Sequence, residues 1–136
     1  MLTKVLVIDD DPDMTDLLSL LLRTRGFDVI SCNNGEEGVE KTRNDSPEVI
    51  ILDLMMKGMD GWQVCAAVRK FSSIPILILT ALDNPGTVVS ALDAGADDFL
   101  TKPVSSGLLV SRLKTLTRRT HLKESGIFVP APPLSI

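Results

Sequence analysis

The chain has 136 residues, of which 44% are hydrophobic and 24% charged, and 14 basic against 18 acidic residues give it a net charge of -4. This length suits a single folded domain, and the composition excludes disordered, collagen-like and coiled-coil classes. The acidic balance argues against direct nucleic-acid binding, and no apolar run approaches the about 20 residues of a membrane-spanning helix, so we expect a cytoplasmic protein without membrane contact.

The predicted elements alternate between short apolar strands and longer amphipathic helices, which is typical of βα units around a parallel sheet. The first strand covers residues 4–9 and leads to a helix with Asp11 as N-cap, Pro12 at its first position and Gly26 just beyond its end. The later strands are predicted over 27–31, 49–53, 76–80 and 98–101, and the later helices over 35–43, 61–71, 86–94 and 105–119.

Right-handed crossovers turn five such units into a doubly wound, flavodoxin-like (βα)5 fold, a three-layer α/β sandwich with parallel strand order 2-1-3-4-5. We assign residues 1–120 to this domain, and 121–136, which are polar and then proline-rich, to a tail or the start of a linker. The strand order reverses between the first and third strands, so a ligand is expected outside their carboxyl ends. Asp9, Asp10 and Asp53 occupy those ends.

The three carboxylates predict a cation site, because a pair of like charges about 4 Å apart costs about 4 kcal/mol at an effective dielectric of about 20. An open, all-oxygen site suits Mg²⁺, which keeps several waters and accepts one or two carboxylates together with phosphate oxygens. Thr80 ends the fourth strand and Lys102 follows the fifth, so a hydroxyl and an ammonium group join the acids. Together these groups indicate a phosphoryl-transfer site.

Four segments in matching order resemble the receiver domain of bacterial two-component response regulators. They are Val-Leu-Val-Ile-Asp-Asp-Asp at 5–11, Leu-Asp-Leu-Met-Met at 52–56 with Gly-Met-Asp-Gly at 58–61, Leu-Thr-Ala at 79–81, and Gly-Ala-Asp-Asp-Phe-Leu-Thr-Lys-Pro at 95–103. The resemblance covers residues 4 to about 119. It implies a regulatory domain, not a turnover enzyme, that accepts a phosphoryl group from a sensor histidine kinase or a phosphotransfer protein and catalyses its own phosphorylation and dephosphorylation.

The resemblance also implies a role for each site residue. Asp53 would be the phosphoacceptor, and Lys102, joined to Pro103 by a cis peptide, would contact the phosphoryl group. The switch would be Thr80 moving toward the phosphate while Phe99 rotates inward. Magnesium would be held by Asp9, Asp10, Asp53 and the backbone carbonyl of Met55.

The chain departs from many relatives at three positions near this site. Lys57 replaces a proline in the loop after the third strand, which adds a cation close to the acids. Met55 and Leu82 are apolar at the positions that influence how a hydrolytic water enters. We therefore expect a persistent aspartyl phosphate.

Relatives that pair through helix four, strand five and helix five typically use charged contacts, and this chain places apolar residues among them. We expect phosphorylation-dependent self-association through an exposed apolar pair on this face. The residues after 120 are expected either to link this domain to a missing effector domain or to end a stand-alone regulator. The predicted face comprises Val88, Asp97, Asp98, Leu108, Arg112 and Arg119.

Two enzymatic or cofactor-binding alternatives share parts of this pattern. A phosphatase of the haloacid dehalogenase type also uses an aspartyl nucleophile with Mg²⁺, and residues 11–15 fit its DxDxT motif, although Asp11 lies where a helix should begin. A flavodoxin-like flavin carrier shares the architecture, but the acidic residues at 10–13 would repel its phosphate. Cys32 and Cys65 form no CxxC pair, so we expect both to be reduced and packed rather than bound to zinc.

Overall fold

The chain is described by a computed structural model that covers residues 1–124 and 126, with residues 121–124 as helix backbone only. No helix in this part of the chain is long and apolar enough to cross a bilayer. Strands and helices alternate along it. They are β1 (Lys4–Ile8), α1 (Pro12–Thr24), β2 (Asp28–Cys32), α2 (Gly35–Asp45), β3 (Val49–Leu52), α3 (Gly61–Arg69), β4 (Ile76–Thr80), α4 (Pro85–Asp93), β5 (Asp98–Thr101) and α5 (Ser106–Glu124).

The five strands form one parallel sheet in the order β2-β1-β3-β4-β5, which confirms the predicted doubly wound fold. Helices α1 and α5 cover one face of the sheet, where Leu22 and Leu113 are fully buried. Helices α2, α3 and α4 cover the other face, where Val68 and Ala91 pack against the sheet. Strands β3 and β4 are buried along their whole length, as central strands covered on both faces must be.

The strand register brings the carboxyl ends of the central strands to one level. Ile8 pairs with Leu52 of β3, and the Asp53 N–H donates to the Ile8 carbonyl at 3.0 Å. On the other side of β3, Thr80 at the end of β4 pairs with Thr101 at the end of β5. The residues that follow these strands therefore meet at a single edge of the sheet, at the point where the strand order reverses.

Several element ends differ from the prediction by one to five residues. Strands β1 and β3 end one residue early, at Ile8 and Leu52, directly before Asp9 and Asp53. Strand β2 is shifted by one residue, helix α2 ends two residues later and helix α3 two residues earlier. Helix α4 begins at Pro85, because the Asn84 side chain accepts from the Thr87 N–H and caps it.

Helix α5 continues to Glu124, beyond the boundary predicted at residue 120. The sequence contains no glycine or proline between the first turn of this helix and Gly126, so no residue there opposes helix extension. The rest of the predicted tail, 125 and 127–136, lies outside the described residues. The division between domain and linker stays a prediction.

Both cysteines are free and buried, as predicted. Burial raises the pKa of the Cys32 thiol to about 12 and that of the Cys65 thiol to about 11. Both thiols are therefore protonated at neutral pH, and a protonated, buried thiol is a poor nucleophile.

Candidate functional site

The centre of the site is an ammonium group shared by two carboxylates. Lys102 Nζ lies 2.7 Å from Asp9 Oδ2 and 3.0 Å from Asp53 Oδ2. The lysine follows β5, and its backbone N–H donates to the Thr80 carbonyl at 2.8 Å, which continues the pairing of β4 and β5. The Lys102–Pro103 peptide is cis, as the resemblance implied. Residues separated by 93 and 49 positions along the chain thus meet through the sheet topology.

Burial and hydrogen bonding act in opposite directions on the pKa values of Asp9 and Lys102. Burial raises the pKa of Asp9, because desolvation of its carboxylate outweighs the hydrogen bonds from Lys102 and the Asp11 N–H. Burial opposes the charge on Lys102 as well, but hydrogen bonds and Coulomb attraction from Asp9 and Asp53 raise its pKa above the ordinary lysine value. Lys102 is therefore protonated at neutral pH. Its positive charge favours the ionised form of Asp9.

Asp53 is 8% exposed and has both carboxylate oxygens in hydrogen bonds. Oδ2 accepts from Lys102, and Oδ1 accepts from the Met55 N–H at 3.1 Å. The backbone behind it is crowded, since a Cβ added at Gly61 would lie 3.0 Å from the carbonyl carbon of Asp53. Glycine at position 61 lets the first turn of α3 approach the backbone of Asp53 and Leu54 closely.

Asp10 is half-buried, and its Oδ2 accepts from the backbone N–H of Lys57 at 3.1 Å. The loop after β3 therefore contacts the acid from β1 directly. The Lys57 side chain is exposed. Lys57 thus contacts Asp10 through its backbone N–H, which any residue other than proline would supply, and the expected effect of its side-chain charge on the acids stays a prediction.

The oxygen donors at this edge fit a hard divalent cation. The carboxylates of Asp10 and Asp53, together with the Met55 carbonyl, are the ligand types that Mg²⁺ accepts. Among the described residues, no three acidic, histidine or cysteine side chains group closely enough to hold a metal ion alone. Asp9 is held instead by Lys102 and by the Asp11 N–H at 3.0 Å. The donor set thus suits a cation that retains waters, while the predicted ligand role of Asp9 stays a prediction.

The two predicted switch residues are Thr80 at the end of β4 and Phe99 within β5, and among the described residues neither makes a hydrogen bond to Asp53. Thr80 is fully buried, and its Oγ1 accepts from the Leu82 N–H at 3.5 Å. Phe99 is half-buried on β5 and packs against the apolar cluster under α3 and α4. In the described part of the chain, the Thr80 hydroxyl therefore bonds only within its own loop, while the Thr80 carbonyl accepts from the Lys102 N–H.

The apolar part of the predicted face is only partly exposed. Leu108 is exposed on α5, but Val88 is half-buried, so the prediction of an exposed Val88 is wrong. Helix α4 turns its small residues Thr87 and Ala91 inward, and Val89 and Leu92 are the apolar side chains that it exposes. The exposed apolar surface of α4 is therefore formed by Val89 and Leu92 and not by Val88.

The charged residues of the same face already have partners within the chain. Arg112 Nη1 lies 2.8 Å from Asp98 Oδ1, which ties α5 to β5. Asp97 accepts from the Ile76 N–H and from Arg69, both at 2.8 Å, so it links β5 to β4 and α3 rather than facing solvent alone. Arg119 is half-buried on the last turns of α5.

Asn33, which follows β2 beside the acids, is not among the predicted site residues. Its Nδ2 donates to the Asp9 carbonyl at 2.9 Å and to Thr15 Oγ1 at 3.0 Å. A polar residue directly after a strand that neighbours β1 was the available signal. Its role depends on the register between β1 and β2, which a single sequence does not reveal. A second unpredicted contact joins α3 to α4, where Trp62 Nε1 donates to Ser90 Oγ at 3.0 Å.

The residues that suggested a phosphatase serve a different purpose. Asp11 is exposed, lies after β1 and caps α1 by accepting from the Asp13 N–H at 3.0 Å. A residue that caps a helix in this way is not directed at the carboxylate cluster. The structure therefore disfavours the haloacid dehalogenase reading of residues 11–15.

Comparison with known proteins agrees with this geometry. A family model described as "Response regulator receiver domain" matches residues 5–114. The curated protein "Probable transcriptional regulator ycf27" of Guillardia theta is 38% identical over 131 residues, which cover 91% of this chain and 52% of that protein. The chain spans about half the length of the curated relatives it matches.

Solved structures show the same likeness. A two-component response regulator from Clostridium difficile is 30% identical with a TM-score of 0.83, over 87% of this chain and 98% of that one. The receiver domain of the Francisella response regulator 1452 is 34% identical with a TM-score of 0.82, over the same shares of the two chains. Since the family match spans most of the chain and includes every residue of the carboxylate cluster, this protein belongs to the response regulator receiver domain family.

Proposed function

We propose that the chain accepts a phosphoryl group on Asp53 from a phosphohistidine of a sensor histidine kinase or a phosphotransfer protein. The observation that carries this proposal is the Lys102 ammonium group, 3.0 Å from a buried Asp53 oxygen. A fixed cation beside a carboxylate can stabilise the charge that develops on a transferring phosphoryl group. As a receiver domain the chain is regulatory, and it takes one phosphoryl group rather than turning over a substrate.

The transfer uses groups that are already in position. An Asp53 oxygen forms a bond to phosphorus while the bond from phosphorus to the donor imidazole nitrogen breaks. The electron pair stays on that nitrogen, which takes up a proton from solvent. Lys102 and the Met55 N–H neutralise the oxygens at this end of the reaction, and the Thr80 hydroxyl supplies a further donor from the end of β4.

We infer that the reaction depends on Mg²⁺ held by Asp10, Asp53 and the Met55 carbonyl. The support is the chemistry of the donors, which are all oxygen and include two carboxylates at one edge of the sheet. When bound, the ion offsets the negative charge of the carboxylates and of the incoming phosphoryl group. Asp9 contributes by holding Lys102 at 2.7 Å.

Phosphorylation is expected to change the face formed by α4, β5 and α5. Thr80 would move toward the phosphoryl group and Phe99 would rotate inward, as a shift between two populated states. Helix α4 is suited to such a shift, because only Thr87 and Ala91 of its residues are buried. We expect self-association through this face, with Leu108, Val89 and Leu92 as the exposed apolar contacts.

The wider setting follows from the relatives by likeness. Because the curated relatives are named as transcriptional regulators and are about twice as long, we propose that this receiver controls an effector domain that binds DNA. The acidic receiver itself is not expected to contact nucleic acid. We expect it to act in the cytoplasm.

Intact mass measurement after incubation with acetyl phosphate and Mg²⁺ tests the proposal. We expect one added phosphoryl group in the wild type and none in Asp53→Asn. Omission of Mg²⁺ should remove the addition as well. Modification of Asp53→Asn to the wild-type extent would refute Asp53 as the acceptor. Sedimentation with and without beryllofluoride tests self-association, and a monomer in both conditions would refute it.

A further inference from the structure

We propose that Asn33 is a positioning residue for the acid pair Asp9–Asp10, and that it increases the affinity of the site for Mg²⁺. This inference rests on the proposed function of the site. Asn33 lies in the turn between β2 and α2, and it contacts neither Lys102 nor Asp53 through the hydrogen bonds that the described residues make. Its influence would pass through the backbone of β1.

The orientation of the Asn33 amide is determined by its partners. The Asp9 carbonyl at 2.9 Å can only accept a hydrogen bond, so the NH2 group of Asn33 must face it. The Thr15 hydroxyl at 3.0 Å donates to the Pro12 carbonyl at 3.1 Å, which leaves its oxygen free to accept from Asn33. Both donors of one amide group are therefore used, and Asn33 joins the end of β1 to the first turn of α1.

Asn33 supplies a donor at the point where the sheet stops supplying one. The pairing of β1 with β2 ends at Ile8 and Cys32, and the last backbone bond runs from the Asp9 N–H to the Cys32 carbonyl at 3.3 Å. Beyond this point the chain turns into the cap of α2, where Asn34 accepts from the Glu37 N–H. The Asp9 carbonyl is the next acceptor along β1. It accepts from the Asn33 side chain instead of from a backbone N–H of a neighbouring strand.

This carbonyl belongs to the peptide group that connects Asp9 to Asp10. Fixing it sets the direction in which Asp10 leaves the strand. From the other side, the Lys57 N–H holds the Asp10 carboxylate at 3.1 Å. Asp10 is therefore positioned by one contact at its backbone and another at its side chain, before any cation arrives.

Loss of the Asn33 contact should weaken cation binding without changing the chemistry at Asp53. An unrestrained Asp9–Asp10 peptide would have to be ordered when the cation binds, and outer-shell contacts to metal ligands typically change affinity by about tenfold or more. We expect Asn33→Ala to raise the dissociation constant for Mg²⁺ about tenfold. The rate of phosphorylation by acetyl phosphate at saturating Mg²⁺ should stay within about twofold of the wild type.

Asn34→Ala provides the matched control, because it removes an asparagine from the same turn but only the cap of α2. Magnesium binding is measured by calorimetry without a phosphodonor, and the phosphorylation rate is then measured across Mg²⁺ concentrations. Urea unfolding of each variant reports stability. We expect Asn34→Ala to lose stability and keep the wild-type Mg²⁺ affinity, whereas Asn33→Ala loses affinity. Asn33→Ser, which keeps a donor, should recover part of it.

Equal Mg²⁺ affinities in wild type and Asn33→Ala would overturn the inference, and so would an equal loss in Asn34→Ala. Failure of the proposed function looks different. In that case the wild type would not be modified on Asp53 at all, while calorimetry would still measure the effect of Asn33 on Mg²⁺. A wild type that is phosphorylated and an Asn33→Ala variant with unchanged affinity would leave the proposed function standing and remove only this inference.

Discussion

Replacing Lys102 by methionine would leave two buried carboxylates without their shared cation. Methionine keeps most of the apolar length of lysine, so the change isolates the charge. The side chains of Lys102, Asp9 and Asp53 are 19%, 5% and 10% exposed, so the group is mostly screened from water. Removing one partner of a buried ion pair costs about 3–5 kcal/mol, and the partial exposure of Lys102 reduces this to about 2–3 kcal/mol of unfolding free energy.

The loss should depend on pH with a definite sign. Burial already raises the pKa of Asp9 in the wild type, and removal of Lys102 takes away the largest interaction that lowers it. A carboxyl whose pKa is raised by folding destabilises the folded state above that pKa, and the penalty fades as pH falls and the group is protonated. The difference in unfolding free energy between wild type and Lys102→Met should therefore be largest near neutral pH and shrink as the pH falls and Asp9 is protonated.

Urea unfolding at several pH values, with and without Mg²⁺, measures these effects. Mg²⁺ at about 100 times its dissociation constant stabilises a folded protein by about 2.7 kcal/mol, and it should stabilise Lys102→Met more than the wild type because no ammonium group competes with it. Lys57→Met is the control, since the Lys57 side chain is exposed and should contribute less than about 0.5 kcal/mol. An equal loss in both variants, or a loss independent of pH, would refute the charge-sharing role of Lys102.

Three further outcomes are expected. Leu82→Glu should shorten the lifetime of the phosphorylated protein in a radiolabel chase, because a carboxylate at this half-buried position can orient water, and an unchanged decay would contradict the expected persistence. Gly61→Ala should lose about 1–3 kcal/mol in urea unfolding, because its Cβ would lie 2.6 Å from a backbone carbon of the loop after β3, whereas Gly107→Ala, with nothing within 4 Å, should lose none. Ser19→Ala should be neutral or stabilising by up to about 1 kcal/mol, since Ser19 Oγ is buried without a hydrogen-bond partner in the described part of the chain, and a clear loss of stability would show a partner.

The fold and the location of the site could be predicted because both follow from local sequence patterns. Buried parallel strands must be apolar, and right-handed crossovers then leave few strand orders. Asp9, Asp53 and Lys102 were expected to meet because each lies at the carboxyl end of such a strand. The structure brings the carboxylates of Asp9 and Asp53 within 3.0 Å of the Lys102 ammonium nitrogen.

The contacts that could not be predicted depend on register and on helix rotation. Asn33 reaches the Asp9 carbonyl only because β2 pairs with β1 so that Cys32 lies beside Ile8. Asp97 is predicted only as part of the interface, but its carboxylate accepts from the N–H of Ile76, a residue 21 positions away in the chain. Val88 was expected to be exposed by likeness to relatives, but packing turns the smaller Thr87 inward and leaves Val88 half-buried.

The formal charges of the pocket support the proposal that the buried Thr80 hydroxyl is the group that responds to phosphorylation. Asp9, Asp10 and Asp53 contribute three negative charges and Lys102 one positive charge, so the pocket carries two negative charges, which a divalent cation would balance. Phosphorylation replaces the Asp53 charge by about two negative charges on the phosphoryl group, and the balance becomes negative by about one. The excess must be met by neutral donors, since no second cation contacts the cluster among the described residues. Among the described residues, the Thr80 hydroxyl oxygen accepts only a 3.5 Å contact from the Leu82 N–H, so in the proposed switch the hydroxyl would turn its proton toward the phosphoryl group at little cost.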